Sequence, residues 1–512
     1  MGNAIEHSDQ ESRDTKPVPS SSPSVHAAEK EGSVEKPHDG QVDYSNDDLE
    51  SPGFDAAATK KLVRRIDWHL IPFLACLYLL SFLDRTNIGN ARLETLEKDI
   101  GLSNLQYNDA LAIFFPFYVA AEVPSNMAMK KWRPSIWIPS IMVVWAVCTT
   151  LMGIVHSYAG LMVCRAALGI AEGGLHDCSI TMWYRRHECG FRMAIFFSAA
   201  TAAGAFGGLL ARGILEMRGV GNLSGWQWIF ILEGLLTLVV ALIAYKAMYD
   251  YPDTAKFLSP VEKAEVVNRL KLDRSSLADE WDMRYFWDAL KDWKIWVHML
   301  ITNGIYTGLY SYSLFLPTIV SGLGYTDPKL AQLMTVPPYI VACFFCISAG
   351  WLADRLGQRG LFMIFFEMMA MAGLVMLIVS NSNAVKYAGC FFLASGIYPN
   401  VPQGVAWNGN NIGGSLKRGV GIAMHVGFGN LGGTVSAFLY LKKDAPRYIS
   451  GHSALLGLHA MSLILSIFMH IYLRRENARR DRTFKPPSEY TEEERLQEKH
   501  KGDSASFFRY TI

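Results

Sequence analysis

Charge is scarce in this chain, and what there is nearly cancels. Asp, Glu, Lys and Arg make up 19% of the 512 residues, 48 basic against 47 acidic, for a formal net charge of +1. That balance leaves no basic surplus for a nucleic-acid backbone, so no nucleic-acid partner is expected. The eight cysteines are scattered, and Cys76, Cys148, Cys164, Cys178, Cys343, Cys346 and Cys390 fall inside apolar stretches. Cys343 and Cys346 form a C-x-x-C with no second pair, and a buried thiol behaves as a small hydrophobe, so no metal site and no cofactor are expected. Clustered His and Asp of the membrane acyltransferase or metalloprotease kind are missing too, so no catalytic residue is assigned and the chain is not read as an enzyme. Residues 1–55 lack any apolar run and are rich in Ser, Pro, Asp, Glu, Lys and His; they cannot bury enough surface to fold and are expected to be disordered. No apolar h-region follows Met1, so no cleavable signal peptide is expected. Glu6 stands where a myristoylation signal needs Ser or Thr, which removes that reading of Gly2.

What the chain has in quantity is apolar sequence. Half of its residues are hydrophobic, and the mean hydropathy is positive. They gather into twelve stretches, each of a length to cross a hydrocarbon core of ~30 Å: residues 69–89, 107–129, 135–155, 158–180, 191–214, 226–248, 296–320, 330–353, 360–380, 386–407, 419–441 and 453–473. The expectation is an all-α integral membrane protein, multi-pass, whose first partner is the lipid bilayer itself. Basic residues recur in alternate loops: Lys60, Lys61, Arg64 and Arg65; Lys130, Lys131 and Arg133; Arg185, Arg186 and Arg192; Arg355 and Arg359; Lys417 and Arg418; Arg474, Arg475, Arg479 and Arg480. The positive-inside rule then puts these loops and both termini in the cytoplasm. Lys442, Lys443 and Arg447 form the one discordant loop. A charged stretch from Asp250 to Lys294 divides six spans from six. Within it Ser259 suits an N-cap, Pro260 the first helical position and Glu262 the first turn. The division reads as a tail over 1–58, a six-helix bundle over 59–248, a linker with short surface helices over 249–295, a second six-helix bundle over 296–474 and a cytoplasmic tail over 475–512.

Asp84 and Arg85 lie inside the first apolar stretch. A charged side chain at bilayer depth costs about 2.5–3.5 kcal/mol on insertion scales, so it persists where it faces a polar cavity or a partner. An acid and a base kept there imply handling of an ion or a charged solute. Arg165, Gly169, Glu172 and His176 recur at spacings of four, three and four, one helical face of the fourth stretch. Two readings stand for Glu172: an ion-pair partner of Arg165 or His176, or a carboxylate that binds and releases a proton. Arg85 offers a planar fork that suits a carboxylate, and adjacency on a helix makes a tight pair with Asp84 geometrically poor. Asp84 is then a second proton-site candidate or a lock between helices. Tyr306 and Tyr310 share a face of the seventh stretch, which reads either as core or interface-belt packing or, beside a cavity, as a stacking surface for a flat ring. Asn87, Asn411 and Asn430 are placed as hydrogen-bond donors to a ligand, and Trp407 as an aromatic wall. Asn222-Leu-Ser224 matches a glycosylation acceptor on the outer side. His425 is read as a packing histidine and Glu367 as facing a polar neighbour.

Gly350-Trp-Leu-Ala-Asp354-Arg355-Leu-Gly-Gln-Arg359-Gly360 resembles the signature loop of the major facilitator superfamily. That resemblance implies a conformational latch for Asp354, Arg355 and Arg359, two six-helix bundles and a binding site at their interface; Arg165 is placed with these structural residues. Residues 122–134 are a degenerate counterpart in the first half. The runs Leu83–Ala91, Gly101–Asn108, Arg165–Gly174, Trp226–Gly234, Trp407–Arg418, Gly429–Gly432 and Phe508-Arg509-Tyr510 together resemble the anion:cation symporter family, in its fungal allantoate/nicotinate permease branch, from about residue 60 onward. The resemblance implies a monomeric, plasma-membrane, proton-coupled importer of a small organic anion such as nicotinate, allantoate or pantothenate, with Arg85 on the substrate and Asp84, Glu172 or His176 on the proton. An exporter or antiporter of a metabolite or drug, or a receptor without turnover, are the alternatives. The sequence departs from the branch at Asp177-Cys178, where Pro-Gly is usual.

Overall fold

The computed structural model describes residues 54–174, 180, 182–185, 188–275 and 282–512. Among these residues the secondary structure is helical, with no strand. The helices are α1 (Ala56–Arg92), α2 (Leu96–Ile100), α3 (Asn104–Ala112), α4 (Phe114–Trp132), α5 (Pro134–Met152), α6 (Tyr158–Glu172), α7 (Cys189–Ile214), α8 (Gly225–Ala247), α9 (Pro260–Ser275), α10 (Met283–Lys291), α11 (Trp293–Gly322), α12 (Pro328–Leu356), α13 (Gly360–Val379), α14 (Asn383–Asn410), α15 (Ser415–Ala437), α16 (Ile449–Thr483) and α17 (Glu492–Glu498). Their starts follow local chemistry. Asp55 accepts a hydrogen bond from the Ala58 amide at the head of α1. Ser103 with Gln106, and Ser224 with Gln227, close capping boxes on α3 and α8. Ser259 and Glu262 do the same for α9, which opens on Pro260.

Helices stand at all twelve apolar stretches, yet among the described residues only α1, α5, α7, α8, α12, α13 and α16 are long and apolar enough by composition to cross a membrane. The other five spans are less apolar for a physical reason. α11, α14 and α15 carry buried rows of polar residues, among them Thr302, Ser311, Asn400, Gln403 and Asn430. The α3–α4 span ends in Lys130 and Lys131, and the described part of α6 stops at Glu172. The helices that surround a polar centre give up hydropathy there. The outer faces do the reverse: Val144, Val147 and Leu151 on α5, and Leu235, Val239 and Leu242 on α8, are exposed at helical spacing, as a lipid-facing surface requires.

The first six spans meet the second six chiefly where α7 packs on α12 and α14, α4 on α15 and α1 on α11. Small residues permit the approach. A Cβ on Gly208 would lie 2.6 Å from the Thr335 hydroxyl and 2.7 Å from the Gln332 carbonyl, and one on Gly89 would lie 2.5 Å from the Leu314 carbonyl. Close backbone contact of this kind is how helices associate where lipid removes the hydrophobic drive.

Candidate functional site

At the centre of that interface Arg85 of α1 forms an ion pair with Glu172 of α6 at 2.9 Å, with side-chain exposures of 1% and 0%. Ser81, one turn before Arg85, also donates to Glu172. The second nitrogen of the guanidinium donates to the Tyr310 hydroxyl of α11 at 2.9 Å, and that hydroxyl donates to Asn430 of α15 at 2.5 Å. One chain of contacts thus crosses from the first half of the molecule to the second. Aromatic rings enclose the cation: its centre lies 5.0 Å from the Phe114 ring, 4.9 Å from Tyr118 and 5.7 Å from Tyr310. Ring faces stabilise a desolvated cation by about 2 kcal/mol or more, and the carboxylate supplies the compensating charge that a buried arginine needs.

The sequence placed Glu172 beside Arg165 or His176. Arg165 instead turns its guanidinium to the Ala110 carbonyl (3.0 Å) and the Arg85 carbonyl (3.4 Å), bracing α3 and α1 against α6. His176 and Asp177 lie outside the described residues. Asp84 points away from the cluster, into the α1–α5–α8 junction, where it accepts from Trp145 (3.2 Å) and Thr237 (2.9 Å). Among the described residues no cation pairs with it, so the geometry is that of a lock between helices. Asn87 packs toward α7 and shares a long contact with Asn90. Tyr306 is buried against Gly429, edge-on to Tyr310 at 6.2 Å. Of the expected ligand residues, Arg85, Tyr310 and Asn430 are brought together with Glu172. Phe114, Tyr118 and Ser81 join them without having been singled out, although each sits four residues from a partner on its own helix (Phe114 with Tyr118, Ser81 with Arg85).

Trp407 and Asn411 are a correction. They lie at the linker end of α14, not in the cluster, and their polar groups hold the chain's last residues. Trp407 donates to the Thr511 carbonyl at 3.0 Å, and Asn411 both donates to it (3.0 Å) and accepts from the Thr511 amide (2.7 Å). Asn477 clasps the Tyr510 backbone in the same two-way fashion, at 2.8 and 2.9 Å. Asp503 is anchored by Lys294 (2.5 Å) and Lys417 (2.6 Å). Burial alone would raise the Asp503 carboxyl, but the two ammonium groups hold it below the usual carboxylate range. Glu498 is pushed down to about 2 from 4.5: burial opposes the shift, and Lys501 and Ser506 outweigh it. A depressed carboxylate stabilises fully above its unfolded pKa and loses that stabilisation as pH falls through the folded value. The 498–506 turn should therefore stay docked at neutral pH and loosen between pH 4.5 and about 2. Limited proteolysis across that window should show tail cleavage rising with acid, and a Glu498→Gln protein should be cleaved at pH 7 already.

The latch residues fall on the linker side. Asp354 accepts from the Phe191 amide at 2.7 Å, capping the first turn of α7 in the other half, and also pairs with Arg359. Arg359 reaches on to Gln403 at 2.9 Å, and its amide donates to the Ile512 carbonyl at 2.8 Å. Arg355 is exposed and lies over Trp351, apart from this network. On the opposite side Lys329 meets Glu216 at 2.6 Å and Lys442 meets Glu97 at 3.3 Å, both across the two halves. The discordant basic residue Lys442 is thus employed in an ion pair. Asn222 is exposed in the 220–222 turn on that side. With both sides drawn together, Tyr310 is only 2% and Asn430 0% exposed: the site is occluded.

Comparison with known proteins agrees with this architecture. The model of the Major Facilitator Superfamily matches residues 74–437. The high-affinity nicotinic acid transporter of Saccharomyces cerevisiae is 33% identical over 424 residues, covering 82% of this chain and 78% of that protein. An uncharacterized transporter of Schizosaccharomyces pombe, C1002.16c, is 32% identical over 457 residues, covering 88% and 90%. The Major facilitator-type transporter hxnP of Emericella nidulans is 30% identical over 439 residues, covering 84% and 88%. Among solved structures, a bacterial homologue of the human lysosomal transporter Spinster, inward-facing and occupied, aligns with a TM-score of 0.57 at 16% identity, over 82% of this chain and 98% of that one. At that identity the likeness concerns the fold.

Proposed function

Because the chain belongs to the Major Facilitator Superfamily, and is accordingly a multi-pass membrane transporter and not an enzyme, we propose that it carries a small organic anion together with a proton by alternating access. The observation that carries this reading is the buried Arg85–Glu172 pair, tied through Tyr310 to Asn430 in the opposite half. A desolvated site tolerates little net charge. With Glu172 ionised, the pair is neutral and the site is full. With Glu172 protonated, Arg85 loses its counter-ion and requires another anion, which a substrate carboxylate supplies. Proton and anion therefore enter and leave as a neutral set, and the fork of Arg85 is the exchange point. The Tyr310 and Asn430 groups report occupancy to the second half, and the two sets of cross-half contacts open one at a time.

Membership of the anion:cation symporter branch and a nicotinate-like substrate are supported by the fungal relatives, the nicotinic acid transporter among them. The basic loops favour cytoplasmic termini, and a plasma-membrane location rests on the family resemblance alone. Protease added outside intact cells should cut neither residues 1–55 nor the 250–294 stretch; cleavage of either overturns the orientation. Cells expressing the protein should accumulate labelled nicotinate, allantoate or pantothenate, and a protonophore should abolish the accumulation. Accumulation indifferent to the protonophore would remove proton coupling.

A further inference from the structure

A cleft of about 480 Å³ opens on the linker side, between α10, the start of α11 and the 500–504 turn that follows α17. Its floor is an ion cluster in which Lys294 and Lys417 share Asp292 and Asp503. Its rim adds Arg284 and Lys291 from α10 and Lys501 from the tail, with Asp288 the one further carboxylate. Five cations thus face three carboxylates on the lining, and with Glu498 counted against Lys501 one positive charge remains in excess. Lys501 pairs with Glu498 at 2.8 Å, just outside the cleft lining.

α10 is built to lie in an interface. Asp282 caps it by accepting from the Arg284 amide at 2.9 Å, and it meets α11 with only Asp292 between them. Arg284, Asp288 and Lys291 recur at helical spacing on the face that lines the cleft. Met283 and Trp287, four residues apart, form a neighbouring stripe and are 55% and 54% exposed. Trp293 (43% exposed) lines the same cleft, stacks edge-on to Tyr472 at 4.8 Å and approaches Phe468 at 6.1 Å. Aromatic side chains of this kind sit at headgroup level, beside the acyl region. A cationic cleft whose wall continues into an exposed aromatic strip at a span end has the complementarity of an amphiphilic anion: charge at one end, hydrocarbon at the other.

We infer that this cleft binds the headgroup of an anionic phospholipid from the leaflet on the linker side, with an acyl chain along Trp293 and Phe468. The lipid would bridge the linker, α11 and the docked tail. The assignment to the cytoplasmic leaflet rests on the proposed orientation; the binding itself does not. The test titrates the purified full chain with phosphatidylserine, phosphatidylcholine of the same acyl chains, and inorganic phosphate, and counts bound lipid by native mass spectrometry. Phosphatidylserine should bind preferentially. Arg284→Gln with Lys291→Gln should weaken it about 25-fold, taking roughly fivefold for each cation removed. Lys442→Gln with Lys443→Gln, on the opposite side, should leave it unchanged. If the double α10 variant unfolds earlier than the parent in phosphatidylcholine, Lys291→Gln alone carries the test, with a fivefold loss expected. Equal binding of the two lipids, undiminished binding by the α10 variants, or phosphate binding as tightly as phosphatidylserine would overturn the proposal.

Discussion

Glu172→Gln should abolish accumulation against a gradient while sparing exchange of labelled for unlabelled substrate. Glutamine keeps the shape of the protonated acid, so Arg85 stays permanently open to a substrate carboxylate. A cycle that loads on one side and unloads on the other needs no proton release, whereas uphill uptake does. The substitution also strands a buried cation: removing one partner of such a pair typically costs about 3–5 kcal/mol. The unliganded variant should unfold at lower temperature than the parent, and its substrate should stabilise it more than it stabilises the parent. Lost exchange in a folded, surface-expressed protein would make the Arg85–Glu172 pair structural. Retained acid-driven accumulation would transfer the coupling role to Asp84 or to His176.

Arg85→Lys should lose most transport although the charge is preserved. The guanidinium at this position divides its donors between Glu172 and Tyr310, on opposite sides of the interface, at 2.9 Å each. A shorter ammonium cannot span both, and it presents a point charge in place of a planar fork. Each charge-assisted hydrogen bond lost costs about 1.5–3 kcal/mol, so uptake at sub-saturating substrate should fall at least about tenfold. Tyr310→Phe removes the hydroxyl's contacts with Arg85 and Asn430 but leaves the Arg85–Glu172 pair intact, and uptake should fall less. Wild-type uptake by the lysine variant would take Arg85 out of substrate binding.

How much of this was legible in the residues differs by scale. The fold was: apolar stretches of membrane-crossing length and the Gly350–Gly360 loop are local features, and helices stand at each stretch. The site was half legible. Arg85 and Glu172 stand out because charge at bilayer depth demands a partner, but spacing along α6 names the wrong one. Arg165 and Glu172 share a face yet are seven residues apart, a rise of about 10 Å, whereas α1 presents Arg85 directly across the helix gap. The partner of a buried charge is set by tertiary approach, which no single-helix periodicity encodes. Phe114 and Tyr118 were hidden for the opposite reason: in a chain so rich in apolar residues, an aromatic pair that encloses a cation looks like any other core pair. Trp407 and Asn411 lie at the linker end of α14, away from the Arg85 cluster. Their side-chain chemistry suits a ligand, and what they hold is the Thr511 backbone; nothing in local pattern tells how a tail folds back on the bundle.

The measurement that meets the central claim most directly follows both solutes at once. Purified protein in liposomes, with a pH-sensitive dye trapped inside, is given labelled nicotinate, allantoate or pantothenate outside at equal internal and external pH. Carboxylate entry should acidify the lumen in fixed proportion to the label taken up, and Glu172→Gln should exchange label without acidification. Carboxylate entry with no accompanying proton in the parent protein would contradict that claim.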